Sequence, residues 1–431
     1  MPGYHRNNWR QAAGAVANFL GEGHDVLAVA DSIKKYTDER AISRMNYVDN
    51  GHPIVELPWD PPGGPPDPRA VEYVHGQVGA VLFDDPARFG ARAMLDRVAT
   101  LLGPLRPADL DQVVRRLGPE GLLRWDELMH HTNHEGEDEP YSGDDQQRLF
   151  NWLLSAISPY GTMLVGDSMP CSQPPYTDCC GNSGWVLPEG PFAQVDGRYL
   201  TENWQLVAAS SDAMSWQDMD QGRFGTCWLL TTMQAVIQAN PQHAARHLRL
   251  APNGTVTLTV YDEGQPYDVT VVADLPFAHG ALYCAKGHTK DARYAETWPG
   301  YFEKAVAQFR GSYANVDGGW GYDALALLTG KPVERLDPRD PWVIHTLADR
   351  RARGGAAVVG TIGEGNDRDT LMNGRLATSH EYFVKDIDVP GRRICIGNPW
   401  GDDAEREMWQ AWITADEIPR YLDEVSVAPT W

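Results

Sequence analysis

The sequence predicts an α+β protein, a mainly α-helical N-terminal region leading into a two-lobe domain with a helical lobe followed by a strand-rich lobe. Three observations carry this. Apolar residues recur at three-to-four spacing through most of the first third of the chain. Near residue 200 the texture changes to a mixture of helical periodicity and alternating apolar runs. Between the two lies a stretch rich in Gly, Pro, Ser and Cys with neither period. At 431 residues the chain is long enough for more than one core.

In chain order, residues 1–52 form a helical N-terminal segment, with Trp9, Ala13, Val16, Phe19 and Leu20 continuing into Val26, Val29 and Ile33. Residues 53–68 hold Pro53, Pro58, Pro61, Pro62, Pro65, Pro66 and Pro68, which lack backbone donors and disfavour helix before each ring, so they read as a semi-rigid linker. A helical domain follows over 69–165, with helices expected at 70–83, 87–102, 110–130 (broken near Gly118 to Glu120) and 144–157. Residues 166–200 are a Cys-, Pro- and Gly-rich connection. The domain at 201–431 opens a helix at Cys227. It continues with alternating runs through Val256, Leu258 and Val260 and through Tyr267, Val269 and Val271, with Asp262, Glu263 and Gly264 as a hairpin turn. A helix at 301–309 and strands at 356–362, 382–388 and 393–396 complete it.

Composition excludes several classes. A formal net charge of -22 and a sequence pI near 4.9 argue against nucleic acid as a partner, since a phosphate backbone is met with clustered Lys and Arg. Six cysteines do not make a disulfide framework in a chain of this length; Cys171, Cys179 and Cys180 crowd one stretch while Cys227, Cys284 and Cys395 are scattered, which fits a reducing compartment. No run of about 18 apolar residues occurs and the first twenty lack an apolar signal core. The expectation is no membrane partner, and a cytoplasmic protein or one exported by a route without a Sec signal peptide.

The chemistry concentrates in two places. In Asp220-Gln221-Gly222-Arg223-Phe224-Gly225-Thr226-Cys227-Trp228-Leu229-Leu230, a cysteine stands where a glycine-rich loop gives way to an apolar helix. Unpaired N–H groups and the macrodipole at a helix N-terminus favour a thiolate, the reactive form. Gly222 and Gly225 permit close backbone approach, and Gln221 can supply a side-chain N–H that joins the Cys227 N–H in an oxyanion hole. A lone cysteine is more often a small buried hydrophobe. The second place supplies what such a cysteine needs: Ser379-His380-Glu381-Tyr382 ahead of a strand, then Gly397-Asn398-Pro399-Trp400-Gly401.

These motifs resemble the calpain catalytic domain. The family pattern Gln-Gly-x-x-Gly-Asp-Cys-Trp-x-Leu is matched at 221–230, Gly-His-x-Tyr at 380–382 and Asn-Pro-Trp-Gly at 398–401, with Glu296, Trp298, the run Glu303-Lys304-Ala305, Gly311-Ser312-Tyr313 and Leu328-Thr329-Gly330 in the family's order between them. The resemblance spans roughly 200–415. It implies a papain-like two-lobe fold and a cysteine endopeptidase acting on protein or peptide substrates. Cys227 is then the nucleophile, His380 the base and later the acid, Asn398 the group orienting the imidazole, and Gln221 the oxyanion donor, with the Cys–His pair a ready thiolate–imidazolium at neutral pH. Gly318 and Gly319 match cleft glycines whose backbone pairs with an extended peptide, and Trp400 matches a ring that shields the Asn–His hydrogen bond. Thr226 stands for the usual aspartate, Ser379 for glycine and Glu381 for a small residue, so the cleft wall differs from the family's.

The chemistry requires no cofactor. The resemblance raises calcium, for which Asp402, Asp403 and Glu405 are the weak candidates. No segment fits an EF-hand loop. His130, His131 and His134 lack the His-Glu-x-x-His pattern and read as a polar loop rather than a zinc site. For residues 1–165 three roles stand open: intramolecular inhibition, partner binding or export, and substrate recruitment. The irregular stretch at 166–200 is a candidate for self-cleavage. Two other readings compete, a catalytically silent papain-fold binding module and a transglutaminase-like acyltransferase, which would ordinarily use Asp where Asn398 stands.

Overall fold

The computed structural model describes residues 59–131, 141–176, 185–186, 204–205, 214–251, 253–272, 274–278, 281–288, 295–363, 371–401 and 410–430. The helical pattern at 1–52 and most of 166–200 lie outside the described residues.

The chain is α+β, with helices first. Helix α1 (Pro68–Leu82) starts at a proline, with the Asp67 side chain accepting from the Arg69 N–H. The single helix expected over 87–102 is two, α2 (Pro86–Phe89) and α3 (Ala91–Leu102), because Gly90 between them takes φ 78°. Helix α4 (Pro107–Met129) is interrupted at Gly118, φ 61°, followed by Pro119, where the sequence places a break. Helix α5 (Gly143–Ala156) begins on a reciprocal cap between Ser142 and Asp145. Helix α6 (Pro159–Ser168) has no sequence counterpart. Buried residues surround it on several sides, so it carries no single apolar stripe to find. These helices close on a core that includes Val78, Leu95, Val113, Leu122, Phe150 and Leu154. Asp111 ties α4 to α6 by accepting from the Ser158 N–H and hydroxyl while paired with Arg115.

Two short strands, β1 (Trp185–Val186) and β2 (Trp204–Gln205), precede the first lobe. That lobe contains α7 (Cys227–Ala239), α8 (His243–His247), β3 (Leu248–Leu250), β4 (Val256–Asp262) and β5 (Gln265–Val271). Next come β6 (Leu275–Ala278), β7 (Ala281–Leu282), β8 (Gly287–His288), β9 (Ala295–Glu296), α9 (Trp298–Arg310) and α10 (Gly321–Thr329). Strands β4 and β5 form the expected hairpin. Asp262 pairs with Gln265, and Glu263 and Gly264 both take positive φ, as a tight two-residue turn requires.

The N-terminal helices are seated on β5 and α9. Asn253 donates to the carbonyls of Leu154 and Ile157, Asn151 accepts from the Thr270 N–H, and the buried Lys304 ammonium donates to Gln173 Oε1 and to the carbonyls of Val272 and Asp274.

The second lobe is a six-stranded antiparallel sheet. Its elements are β10 (Glu334–Arg335), α11 (Val343–Ala352), β11 (Gly355–Thr361), β12 (Glu381–Asp388), β13 (Arg393–Gly397), β14 (Gln410–Thr414), α12 (Ile418–Tyr421) and β15 (Leu422–Pro429). The strand order β10-β15-β11-β12-β13-β14 places the last strand of the chain between the first two. Helix α7 lies between the lobes. Leu229, Leu230 and Met233 enter the first lobe's core, while Ala235 and Val236 pack with Val358 and Phe383 of the sheet. Being apolar on all sides, it is buried as a helix of that kind must be. Among the described residues no helix is long and apolar enough to cross a membrane.

Candidate active site

The site is assembled from both lobes. Cys227 is the first residue of α7, His380 immediately precedes β12, and Asn398 immediately follows β13. Strands β12 and β13 are hydrogen-bonded neighbours, Phe383 opposite Gly397, so their adjacent ends hold His380 beside Asn398. The imidazole Nε2 lies 3.0 Å from Asn398 Oδ1, which also accepts from the Trp400 N–H at 3.2 Å. A carbonyl oxygen at Nε2 fixes the proton there and leaves Nδ1 as the basic nitrogen. The His380 backbone is held by reciprocal bonds with Thr361, whose hydroxyl accepts from the His380 N–H at 3.0 Å. Trp400 covers the imidazole with ring centroids 4.7 Å apart, and Tyr382 meets it edge-on at 4.9 Å.

The residue before the histidine bears a cost. Ser379 takes φ 49°, a left-handed conformation that costs an L-residue about 1–2 kcal/mol. Glycine, which the resemblance places there, would take it freely.

The main-chain N–H groups of Glu381, Trp228 and Cys227 itself act on the Cys227 sulfur in the direction that favours its thiolate. The Glu381 contact brings the sulfur to the residue next to His380. Burial pushes the thiol up to about 11 against their action, and burial pushes the imidazole down to about 4 although its bond to Asn398 acts the other way. Burial thus pushes each group toward its neutral form, against the mutual attraction that favours a thiolate beside an imidazolium.

Gln221 is fixed at both ends of its residue. Its N–H donates to the Pro399 carbonyl at 2.8 Å, linking the loop before Cys227 to the Asn398 loop, and its Nε2 donates to the Phe224 carbonyl at 2.7 Å. An amide nitrogen carries two hydrogens, so one remains to meet an oxyanion. The close approach expected at Gly222 is to protein: a Cβ there would collide with the main chain of Tyr283 and Cys284. At Gly225 it would meet Asp317 Oδ1 at 2.5 Å, the same carboxylate that accepts the Gly225 N–H.

Gly318 and Gly319 are exposed along this cleft. The Gly318 N–H donates to the Gly225 carbonyl at 2.8 Å, and a Cβ on Gly319 would stand 2.5 Å from the Trp228 ring, whose Nε1 donates to the Val316 carbonyl. Trp228 is thus both core and the support beneath the cleft wall. The calcium candidates Asp402, Asp403 and Glu405 lie outside the described residues. His130 stands with Asp126 and Cys171 in the N-terminal helices, away from this cleft, and the Cys171 thiol donates to Asp126 Oδ1.

Thr226, where the resemblance expects aspartate, donates its hydroxyl to Glu303 Oε1 at 2.5 Å, and the Ala285 N–H donates to Oε2 at 3.1 Å. Sequence reasoning saw Glu303 only as a supporting motif. It is a buried carboxyl under the start of α7, and burial pushes it up to about 7 from 4.5. With the folded value above the unfolded one, the native state retains a proton that the unfolded chain loses, so this group's contribution declines as pH rises through that window, by about 3 kcal/mol in all. The stability of Glu303→Gln relative to wild type, from denaturant melts, should accordingly increase by about 3 kcal/mol between pH 4.5 and pH 8. A pH-independent difference would show that Glu303 does not titrate there.

Replacing Asn398 by alanine should leave His380 free to turn and lower kcat by about 10²-fold with little change in KM, a result read from steady-state kinetics on a peptide substrate. A variant that keeps full kcat would remove Asn398 from the orienting role.

The comparisons with known proteins agree on one family. The profile described as calpain family cysteine protease matches residues 197–418. Calpain clp-4 of Caenorhabditis elegans is 25% identical over 244 residues, covering 53% of this chain and 32% of that protein. Calpain-13 of Rattus norvegicus is 29% identical over 207 residues, covering 44% and 30%. The calpain-1 catalytic subunit of the same species is 26% identical over 226 residues, covering 49% and 30%. The chain thus spans about a third of the length of these relatives.

Proposed function

Because the chain belongs to the calpain family of cysteine proteases, we propose that it is an endopeptidase whose nucleophile is Cys227, working with His380, Asn398 and Gln221. The observation that carries the reading is the imidazole held 3.0 Å from Asn398 on the strand ends that face the Cys227 end of α7, with the main-chain N–H of the residue after His380 acting on the Cys227 sulfur. As the sulfur attacks a peptide carbonyl, its proton passes to His380. The carbonyl oxygen becomes an oxyanion facing the Cys227 N–H and the second hydrogen of Gln221 Nε2. Collapse breaks the C–N bond, the departing amine takes the proton from His380, and a thioester remains on Cys227. Water, losing a proton to His380, then releases the acid and restores the thiol.

Calcium enters as a regulator, on the resemblance alone, and no step above draws on it. Self-cleavage within 166–200 and inhibition by residues 1–165 are proposals of the same kind. The seat of the N-terminal helices on β5 and α9 favours a position beside the cleft over one across it.

The test is digestion of casein by the purified chain under reducing conditions, with calcium and with a chelator, and identification of new N-termini by mass spectrometry. Internal cleavage is the expected result. Incorporation of a labelled amine without new N-termini would identify the acyltransferase, and peptide binding without turnover in either condition would identify the silent module.

A further inference from the structure

The N-terminal helices bring together three side chains that the protease mechanism does not use. Asp126 lies in the last turn of α4, His130 is the C-cap of that helix, and Cys171 sits in the single 3-10 turn at Pro170–Ser172 that follows α6. The four-residue spacing puts Asp126 and His130 on one face of the helix end. The chain returns through α5 and α6 to set Cys171 against them. A carboxylate oxygen, a ring nitrogen and the sulfur then all lie within 4.8 Å of one another. Among the described residues no other group of three His, Cys, Asp or Glu side chains converges in this way.

The three are held from several directions. The Cys171 N–H donates to Asp126 Oδ1 at 3.1 Å and the thiol donates to the same oxygen, so carboxylate and sulfur stand side by side. The Cys171 carbonyl accepts from Gln308 Nε2 at 3.1 Å, which anchors this turn to α9. Asp126 is only 4% exposed, whereas His130 and Cys171 are half-buried, so the cluster is reached from their side. Burial raises the Asp126 carboxyl above the ordinary range and Glu127 adds like charge to it, against His130 and the Cys171 bonds. A carboxyl so enclosed is short of positive charge.

We propose that Asp126, His130 and Cys171 bind one zinc ion, with water in the fourth position. The donor types select the metal: thiolate and imidazole suit zinc, whereas calcium and magnesium take oxygen ligands. Bonds of about 2.0–2.3 Å place tetrahedral ligand atoms about 3.3–3.8 Å apart, within the span these three already occupy. Binding sends the thiol proton, and any proton on Asp126, to solvent. Thiolate and carboxylate then cancel the two charges of the ion, so the enclosed site is neutral, and the Cys171 N–H stays as an outer hydrogen bond to the carboxylate. Such an ion fastens the end of α4 to the segment leading toward the protease domain. A few residues further on, the Tyr313 N–H donates to the Pro175 carbonyl and Tyr176 meets Phe224 edge-on at 5.9 Å, the residue whose carbonyl accepts from Gln221 Nε2.

Cobalt(II) serves as the probe, because a thiolate ligand gives it a near-ultraviolet charge-transfer band and tetrahedral coordination gives it strong visible bands. It is titrated into the full chain carrying Cys227→Ala, which keeps the cleft thiol out of the signal, in a reductant that does not chelate metals. One equivalent should bind with both features and be displaced by zinc. Adding Cys171→Ser should remove the charge-transfer band. Adding His130→Ala, at a half-buried position, should weaken binding by about 100-fold or more, since even outer-shell changes cost about 10–100-fold. Zinc should raise the melting midpoint of the parent and leave that of His130→Ala unmoved. The same melts report folding, and should Cys171→Ser not fold, His130→Ala decides. No charge-transfer band in the parent, or binding that is unchanged in His130→Ala, would overturn the site and leave the cluster a hydrogen-bonded triad.

Discussion

Cys227→Ala should abolish casein cleavage, lowering the rate by at least about 10³-fold, with a thermal midpoint close to that of wild type. The size of the loss follows from the chemistry. Without the sulfur no thioester forms, and His380, Asn398 and Gln221 have only water to direct at the carbonyl. The small change in stability follows from position. Cys227 is half-buried at the first position of α7, and the sulfur's partners are main-chain N–H groups at the cleft, where water can replace it. Measuring cleavage and melting on one preparation separates lost chemistry from lost fold. Cleavage persisting in this variant at the wild-type rate would remove Cys227 from the mechanism.

Gly222→Ala adds one methyl group at a residue that forms no bond with substrate, and it should cost about 1–3 kcal/mol of stability together with about 10²-fold in kcat. The methyl would enter the main chain of Tyr283 and Cys284, which cannot swing aside as a flexible side chain can. The loop is fastened on both flanks. Asp220 and Lys286 exchange main-chain bonds, Arg223 donates to the Tyr283 carbonyl, and Gln221 donates to Pro399. Relieving the clash must therefore displace Gln221, moving its free N–H from the oxyanion position. Gly76→Ala is the contrasting change: it lies inside α1 with nothing within 4 Å of an added Cβ, and it should stabilise by up to about 1 kcal/mol. Denaturant melts and kinetics on both variants check the pair, and equal behaviour would show that the crowding at Gly222 is absorbed elsewhere.

The individual helices illustrate what patterning can and cannot reveal. A stripe against one core made α1, α4 and α5 legible, and the Gly118-Pro119 break announced itself through residue types that helices reject. Helix α6 escaped because it is enclosed and rich in small residues, and α10 because a nine-residue apolar helix resembles a buried strand in sequence. Strand β15 is the last of the chain yet pairs with β10 and β11, a non-local choice no local pattern encodes.

By itself the sequence determined the chemical inventory: a cysteine at a loop-to-helix junction, a histidine and an asparagine at the edges of strands, and a glutamine ahead of the cysteine. These are properties of residue type and local spacing, which survive in one dimension. Only the tertiary structure decided what surrounds those groups. Enclosure between the lobes sets thiol and imidazole toward their neutral forms, because desolvation depends on atoms contributed from distant segments. The same is true of Glu381 and Glu424. They are 43 residues apart in the chain, and only the register of β12, β11 and β15 across Gly360 brings the two carboxyls together as one buried pair.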